Sequence, residues 1–322
     1  MIAKNLKRNI LQILLGFLIC SFSHAQVFPD KTVKAVVAFG VGGQTDAAAR
    51  ILSQKLSERW NQAVVVENKT GANGNIGTEF VAKSAPDGLT LNIATQTLTI
   101  NKVVFPSPNF DPLKDLSPIA IIGKSDFVLV VHPSLPVYSV QDLVKYAKAN
   151  SDKVNYGATS FQGEFIMELF NFNAGIRIER VPYTAMGNLL TDLLAGRTNV
   201  FFTPPKSVLA HIQSGKLRPL AVTSSKPLAL LPQVKSILID YPNMQATTWY
   251  GVLAPKQTPV EIINKINTDL KWAISQPTVK DQLEQLGIDP ETSSPQEMSA
   301  ILSKDVQMVE DLVKRGVMKV SK

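Results

Sequence analysis

A chain of 322 residues is long enough for two domains of ordinary size. Its formal net charge of +7 is spread along the sequence without a basic run that interleaves aromatics, which excludes a nucleic-acid footprint and leaves the attraction of small anions. The one cysteine, Cys20, falls in the N-terminal leader, so disulfides, a thiol nucleophile and thiolate metal ligation are excluded for everything downstream.

The leader reads as a signal peptide. Lys4, Lys7 and Arg8 precede an apolar stretch from Ile10 to Phe22, and Ser23-His24-Ala25 gives the small-x-small cleavage pattern. The apolar stretch is shorter than the roughly 20 residues that span a bilayer, and Ile19 stands before Cys20 where a lipoprotein signal needs a small residue. Cleavage after Ala25 is therefore expected, giving a periplasmic chain that starts at Gln26 with its net charge lowered from +7 to +4. A core of about 300 residues is stable without disulfides.

The exported part opens with an apolar strand from Val33 that runs through Gly40, Gly42 and Gly43 into a helix from Asp46 to Trp60, with Ala48, Leu52, Leu56 and Trp60 on one face. Such a turn builds an anion site from backbone, because the free amides of the helix start point at any negative group held there. Thr45 and Asp46 can equally serve to cap the first turn. The run lacks the lysine of a P-loop and the G-x-G-x-x-G order of a dinucleotide turn, so a carboxylate fits better than a nucleotide. A strand at Ala63–Glu67, a helix started by the glycines at 71, 74 and 77, a Pro86-Asp87-Gly88 turn and a strand at Leu89–Ala94 complete a doubly wound unit. Its first and third turns share the carboxyl edge of the sheet.

A loop from Phe105 to Pro118 leads to a strand at Phe127–Val131, then a helix at Ser139–Asn150 with a capping box in Ser139 and Asp142. The strand Val154–Gly157 ends at a turn with Thr159, Ser160, Gln162 and Gly163, and a helix follows to about Asn173. The strand Ile178–Val181 runs into Pro182-Tyr183-Thr184-Ala185, a second helix start with polar side chains and free amides. A strand at Asn199–Phe202, a helix at Lys206–Ser214 and a strand at Leu217–Thr223 finish a second unit of the same construction. One strand, Tyr250–Ala254, and helices at Pro259–Ser275, Pro277–Leu286 and Ser294–Arg315 remain, and these are expected to pack back on the first unit. The lobes are then residues 26–126 with 249–322, and residues 127–248, with crossings near Asp126 and Thr248.

Several blocks in this order, FPDKTVKAVVAFGVGGQTD, VVVENKTGANGNIGTEFVAKSAPDGLTL, DPLKDLSPIA, VPYTAMGNLLTDLLAGRTNVFF, GKLRPLAVTS and TTWYGVLAP, resemble the extracytoplasmic solute receptors of tripartite tricarboxylate transporters, the Bug receptors. The resemblance spans the mature chain. It implies an α/β, two-lobed periplasmic binding protein of Venus-flytrap, type II-like form, with doubly wound sheets and crossover strands closing on a small organic acid. It also implies a monomer, delivery to two integral-membrane transporter subunits, no cofactor, no metal and no catalysis. Carried over by position, the first lobe's contacts are Phe39, Gly40, Gly43, Gln44, Thr45, Asp46, Thr95 and Gln96, and the second lobe's are Thr159, Ser160, Gln162, Tyr183 and Thr184. Val41 stands where the family usually has proline, Gln44 where it has serine and Glu164 where it has histidine.

Two other functions stay open at this level. The loaded receptor can present itself to a membrane sensor kinase, which uses the same closed form. A periplasmic hydrolase needs an acid and base, for which Asp46 and Glu164 facing one another across the cleft are the candidates; His132 and His211 read as surface or packing histidines, and no H-E-x-x-H, G-x-S-x-G or S-x-x-K is present. Glu164 reads either as a first-turn helix residue or as a partner for a cationic part of the ligand. Phe39 and Phe161 are expected on the cleft wall, Trp249 and Tyr250 in packing. The scarcity of Lys and Arg in the predicted turns favours neutral dipoles as the holders of the acid.

Overall fold

A computed structural model describes residues 28–105, 109–159, 161–183, 185–228, 230–244 and 246–320, with no side chain for Phe161. The signal peptide with its cleavage site, and Ser160 and Thr184 of the candidate site, lie outside the described residues.

The strands are β1 (Val33–Val37), β2 (Val64–Asn68), β3 (Thr90–Thr95), β4 (Leu116–Asp126), β5 (Val128–Val131), β6 (Asn155–Ala158), β7 (Glu179–Pro182), β8 (Val200–Thr203), β9 (Arg218–Val222) and β10 (Thr247–Pro255). The helices are α1 (Gln44–Trp60), α2 (Asn75–Ala82), α3 (Thr97–Val104), α4 (Pro112–Asp115), α5 (Val140–Ala149), α6 (Phe161–Ala174), α7 (Met186–Leu194), α8 (Leu209–Gln213), α9 (Val260–Ser275), α10 (Pro277–Gln285) and α11 (Pro295–Lys314).

The strands form two five-stranded sheets of one design, in the orders β2-β1-β3-β10-β4 and β7-β6-β8-β5-β9. β1 pairs in parallel with β2 and β3, and β6 with β7 and β8. In each sheet the fourth strand is antiparallel to both neighbours: β10 lies between β3 and β4, and β5 between β8 and β9. The chain leaves the first sheet at Asp126, enters the second at Val128 and returns at Thr247. The result is a two-lobed α/β fold in which parallel strands deliver their turns to one edge of each sheet.

Each sheet is covered on both faces. In the first, Ala48, Leu52 and Leu56 of α1 and Ile263, Ile266 and Leu270 of α9 cover one face, and Val81, Leu98, Met298 and Leu302 the other. In the second, Leu143, Phe165 and Phe170 cover one face, and Leu189, Leu193 and Val208 the other.

The structure corrects three expectations. The segment expected as a loop from Phe105 contains α4 and the first residues of β4, and α3 precedes it. Pro118 lies inside β4 opposite Leu253, which is tolerated because β4 is an edge strand that pairs only with β10. The helix expected at Lys206–Ser214 is a 3₁₀ turn at Pro205–Ser207 followed by the short α8. Finally, α11 serves both lobes: Met298 and Leu302 pack on the first sheet, while Val309 and Leu312 join the second lobe's core together with Ile100 and Val104 of α3. A helix of 20 residues spans about 30 Å, enough to reach past one sheet. Its start carries a complete capping box between Ser294 and Glu297.

The helices of the first lobe are tied by a buried carboxylate. Asp269 of α9 accepts from Arg59 Nε (2.5 Å), Trp60 Nε1 (2.6 Å) and Lys265 Nζ (2.7 Å). Burial works against its charge, but these donors outweigh it and hold its carboxyl below the ordinary value. Replacing Asp269 by Ala is expected to cost about 2 kcal/mol, since it strands the half-buried Trp60 N–H as well as removing the charge. Because the folded carboxyl titrates low, that contribution is present above about pH 4 and is lost as pH falls below it. Denaturant unfolding of both proteins at pH 7 and pH 3 checks this, with the difference expected to shrink at pH 3.

Candidate functional site

The turn from β1 into α1 is organised by Asp46, which is 2% exposed. Its carboxylate accepts from the Gly42 amide (2.9 Å), Asn68 Nδ2 (2.9 Å) and Arg50 Nε and Nη2 (both 3.0 Å). Led by the Arg50 bonds, these donors bring its pKa to about 2. Asn68 also donates to the Phe39 carbonyl (3.0 Å), fixing the turn to the end of β2. Gly42 has φ +80°, a conformation that a side chain would strain. The Asp46 side chain is thus fully engaged in holding the loop.

With Asp46 so engaged, no side chain caps α1, whose N-cap is Gly43. The first-turn amides of Gln44, Thr45 and Asp46 are left for solvent or a ligand. Gln44 does not cover them: its Nε2 donates to the Leu286 carbonyl (2.8 Å) and its Oε1 accepts from the Tyr250 hydroxyl (2.7 Å). Phe39 lies half-buried over Gly74, where an added β-carbon would come 3.3 Å from its ring. By contrast α4, α5 and α11 are capped by Asp111, Ser139 and Ser294.

The turn after β3 brings Thr95 and Gln96 to the same edge, both buried. Gln96 Nε2 donates to Asp305 of α11 (3.3 Å), which also accepts from Trp249 Nε1 (2.7 Å) and Thr99 Oγ1 (3.4 Å). Burial pushes the Asp305 carboxyl up against those donors. Gln96 and Trp249 thereby tie α3, β10 and α11 together.

In the second lobe Thr159 follows β6 and is half-buried, and Gln162 lies in the first turn of α6 with its Nε2 buried and unpartnered. Tyr183 follows β7; its amide donates to the Ala158 carbonyl (2.9 Å) and its hydroxyl to Asp192 (2.9 Å), so the side chain anchors the turn. α7 starts at Met186 with Ala185 as N-cap and no capping side chain. Each lobe therefore presents an uncapped helix start at the carboxyl edge of its parallel strands.

Glu164 forms an ion pair with Arg180 (Oε2 to Nη1, 2.5 Å), and nearby Glu168 accepts from the Tyr156 hydroxyl (2.8 Å). Burial raises the Glu164 carboxyl, with Arg180 opposing. Asp46 is held by Gly42, Arg50 and Asn68 in the first lobe and Glu164 by Arg180 in the second.

The turn Thr203–Ser207, after the middle strand β8, had no place in the sequence-level site. Only the order of the sheet reveals that this turn leaves the same edge as the turn after β6. A concavity of about 400 Å³ lined by Leu98, Asn101, Lys102 and Asp111 lies elsewhere, beside α3 and α4. The sheet edges are the better candidate, because each carries a helix start whose first-turn amides no side chain caps.

Asp46→Asn keeps the shape of the turn but loses the Arg50 pair. The variant is expected to lose roughly 1–2 kcal/mol at pH 7, discounted for the half-exposed Arg50. Since the folded pKa is about 2 against 3.8, the loss fades as pH falls from 4 to 2. Thermal unfolding across that range checks it; a loss independent of pH contradicts the charged role.

Comparison with known proteins gives a consistent picture. The family model for a tripartite tricarboxylate transporter family receptor matches residues 48–317. Protein BugT of Bordetella pertussis is 33% identical over 288 residues, covering 88% of each chain. A solved R. palustris protein with adipate superposes with a TM-score of 0.81 at 32% identity, over 91% of this chain and 99% of that one. MatC from Rhodopseudomonas palustris with bound malate gives 0.77 at 26% identity, over 89% and 100%.

Proposed function

Because the chain belongs to the tripartite tricarboxylate transporter family of receptors, we propose that it captures a small mono- or dicarboxylate between its lobes and delivers it to two integral-membrane transporter subunits. It acts in the periplasm after cleavage behind Ala25, as a monomer and without catalysis. The observation that carries this reading is the pair of uncapped helix starts, α1 and α7, at the carboxyl edges of the two sheets. A carboxylate placed there meets backbone N–H groups and the positive ends of two helix dipoles. Relatives solved with adipate and with malate support the ligand class.

In this reading the backbone of Gly40, Gly43, Gln44, Thr45 and Asp46 makes the first-lobe contacts, with Thr95 behind and Phe39 as apolar wall. Thr159, Ser160, Gln162 and Thr184 supply those of the second lobe. The side chains of Gln44, Asp46, Gln96 and Tyr183 position these turns. Residues 26–126 with 249–322 and residues 127–248 are the bodies that close, pivoting where the chain passes through Asp126 and Thr248. Since α11 and α3 pack on both cores, they share in the pivot.

A thermal-shift screen of organic acids, sugars and neutral amides on the mature protein tests the reading. A carboxylate at about 100 times its Kd is expected to add roughly 2.7 kcal/mol of stability and to be recovered unaltered. Stabilisation by sugars or amides with none by any acid contradicts it.

A further inference from the structure

Gln44 begins α1, yet both of its side-chain bonds run to residues 242 and 206 positions away. Its Nε2 donates to the carbonyl of Leu286, the C-cap of α10, which that helix leaves unmet. Its Oε1 accepts from Tyr250, which is 3% exposed and would otherwise bury an unpaired hydroxyl. Directly beyond Leu286 the chain is bonded onto β4: Ser125 Oγ donates to the Gly287 carbonyl (2.8 Å), and Asp289 exchanges two backbone bonds with Lys124 (2.7 and 3.0 Å). Ser125 is the residue before Asp126, where the chain leaves the first lobe, and it lies opposite Thr248 on the returning strand. Tyr250 follows two residues later in that strand. The second lobe meets the same segment, since a β-carbon built on Gly287 would lie 3.7 Å from Lys206 Cβ and 3.8 Å from Gln44 Nε2. Gln44 and residues 286–289 thus join the start of α1, both crossing strands and the facing lobe.

We propose that Gln44 is a positioning residue that couples occupancy of the α1 start to the pivot between the lobes, with residues 286–289 as the strap that carries the coupling. This role rests on the receptor reading above and reaches past the turn to which Gln44 itself belongs. An acid on the first-turn amides fixes the start of α1. The two bonds of Gln44 pass that constraint to Tyr250 in β10 and to Leu286, and Ser125 and Lys124 pass it on to β4 one and two residues before the crossing. Rotation of the second lobe moves Lys206 against Gly287 and reaches the ligand turn by the same route in reverse, as linkage requires. A carboxamide suits this place because it donates to one strand connection and accepts from the other at once. The path is contiguous, and each step in it is a bond that one substitution removes.

A double-mutant cycle on the mature protein, titrated calorimetrically with succinate, malate, adipate and butyrate, tests this. Gln44→Met keeps the length of the side chain and leaves the α1 amides in place; it is expected to lower the affinity for any of these acids that binds by about tenfold. Ser125→Ala lies outside the ligand turn, so it keeps the test in force if Gln44→Met binds nothing, and it is expected to lower the same affinity by about fivefold. Because both act on one path, the double variant is expected to bind within about twofold of Gln44→Met alone. Small-angle scattering is expected to show the wild type compacting when saturated with the acid, and Ser125→Ala compacting less at equal saturation. Unchanged affinity in Ser125→Ala, losses that multiply in the double variant, or full compaction of Ser125→Ala overturns the proposal while leaving the receptor reading intact. A wild type that binds none of the four acids overturns both.

Discussion

A helix cannot satisfy the amides of its own first turn, and the arrangement of parallel strands decides where those unmet bonds are placed. In this chain β1 and β3 in one sheet, and β6, β7 and β8 in the other, run so that their turns and following helices gather at one edge. Asp111, Ser139 and Ser294 close the starts of α4, α5 and α11, while α1 and α7 at these edges carry no capping side chain, as α9 and α10 carry none elsewhere. Donors fixed by backbone geometry have little freedom to lose on binding, which is the sense in which this candidate site is preorganised.

The polar side chains around those donors are turned inward. Asp46 could have capped α1 but accepts instead from Gly42, Asn68 and Arg50. Gln44 joins Leu286 and Tyr250, Gln96 joins Asp305, and Tyr183 joins Asp192. Each of these bonds keeps a turn rigid and withdraws a side chain that would otherwise compete for the amides. The strand crossing carries its own polar load. Burial and the neighbouring Asp289 push the Asp126 carboxyl up to about 6 at the point where β4 leaves the first sheet.

The sequence reading found the architecture because period and punctuation are local signals. The apolar run from Val33, the glycines before Gln44 and the Ser139 cap all fold as their neighbours dictate. It failed where the decisive contact is distant. β4 contains Pro118 and exists as a strand because β10, some 130 residues on, pairs with it. α3 buries Thr97, Thr99 and Asn101 together with Leu98 and Ile100, so burial does not follow the division between its polar and apolar residues. The site divides the same way. Glycine turns and helix starts could be read in sequence, and a family resemblance named the further candidate contacts. The inward bonding of Gln44 to Leu286, and the approach of Lys206 to Gly287 across the lobes, depend on residues far apart in the chain.

The central claim is that the acid is held by backbone at the start of α1 and α7. Amide hydrogen exchange with and without a saturating acid from the screen tests it most directly. The account predicts that the amides of Gln44, Thr45 and Asp46, and those of Met186, Gly187 and Asn188, slow by about tenfold or more. Unchanged exchange at both helix starts, with protection appearing instead around Leu98, Asn101 and Asp111 beside α3 and α4, would contradict it.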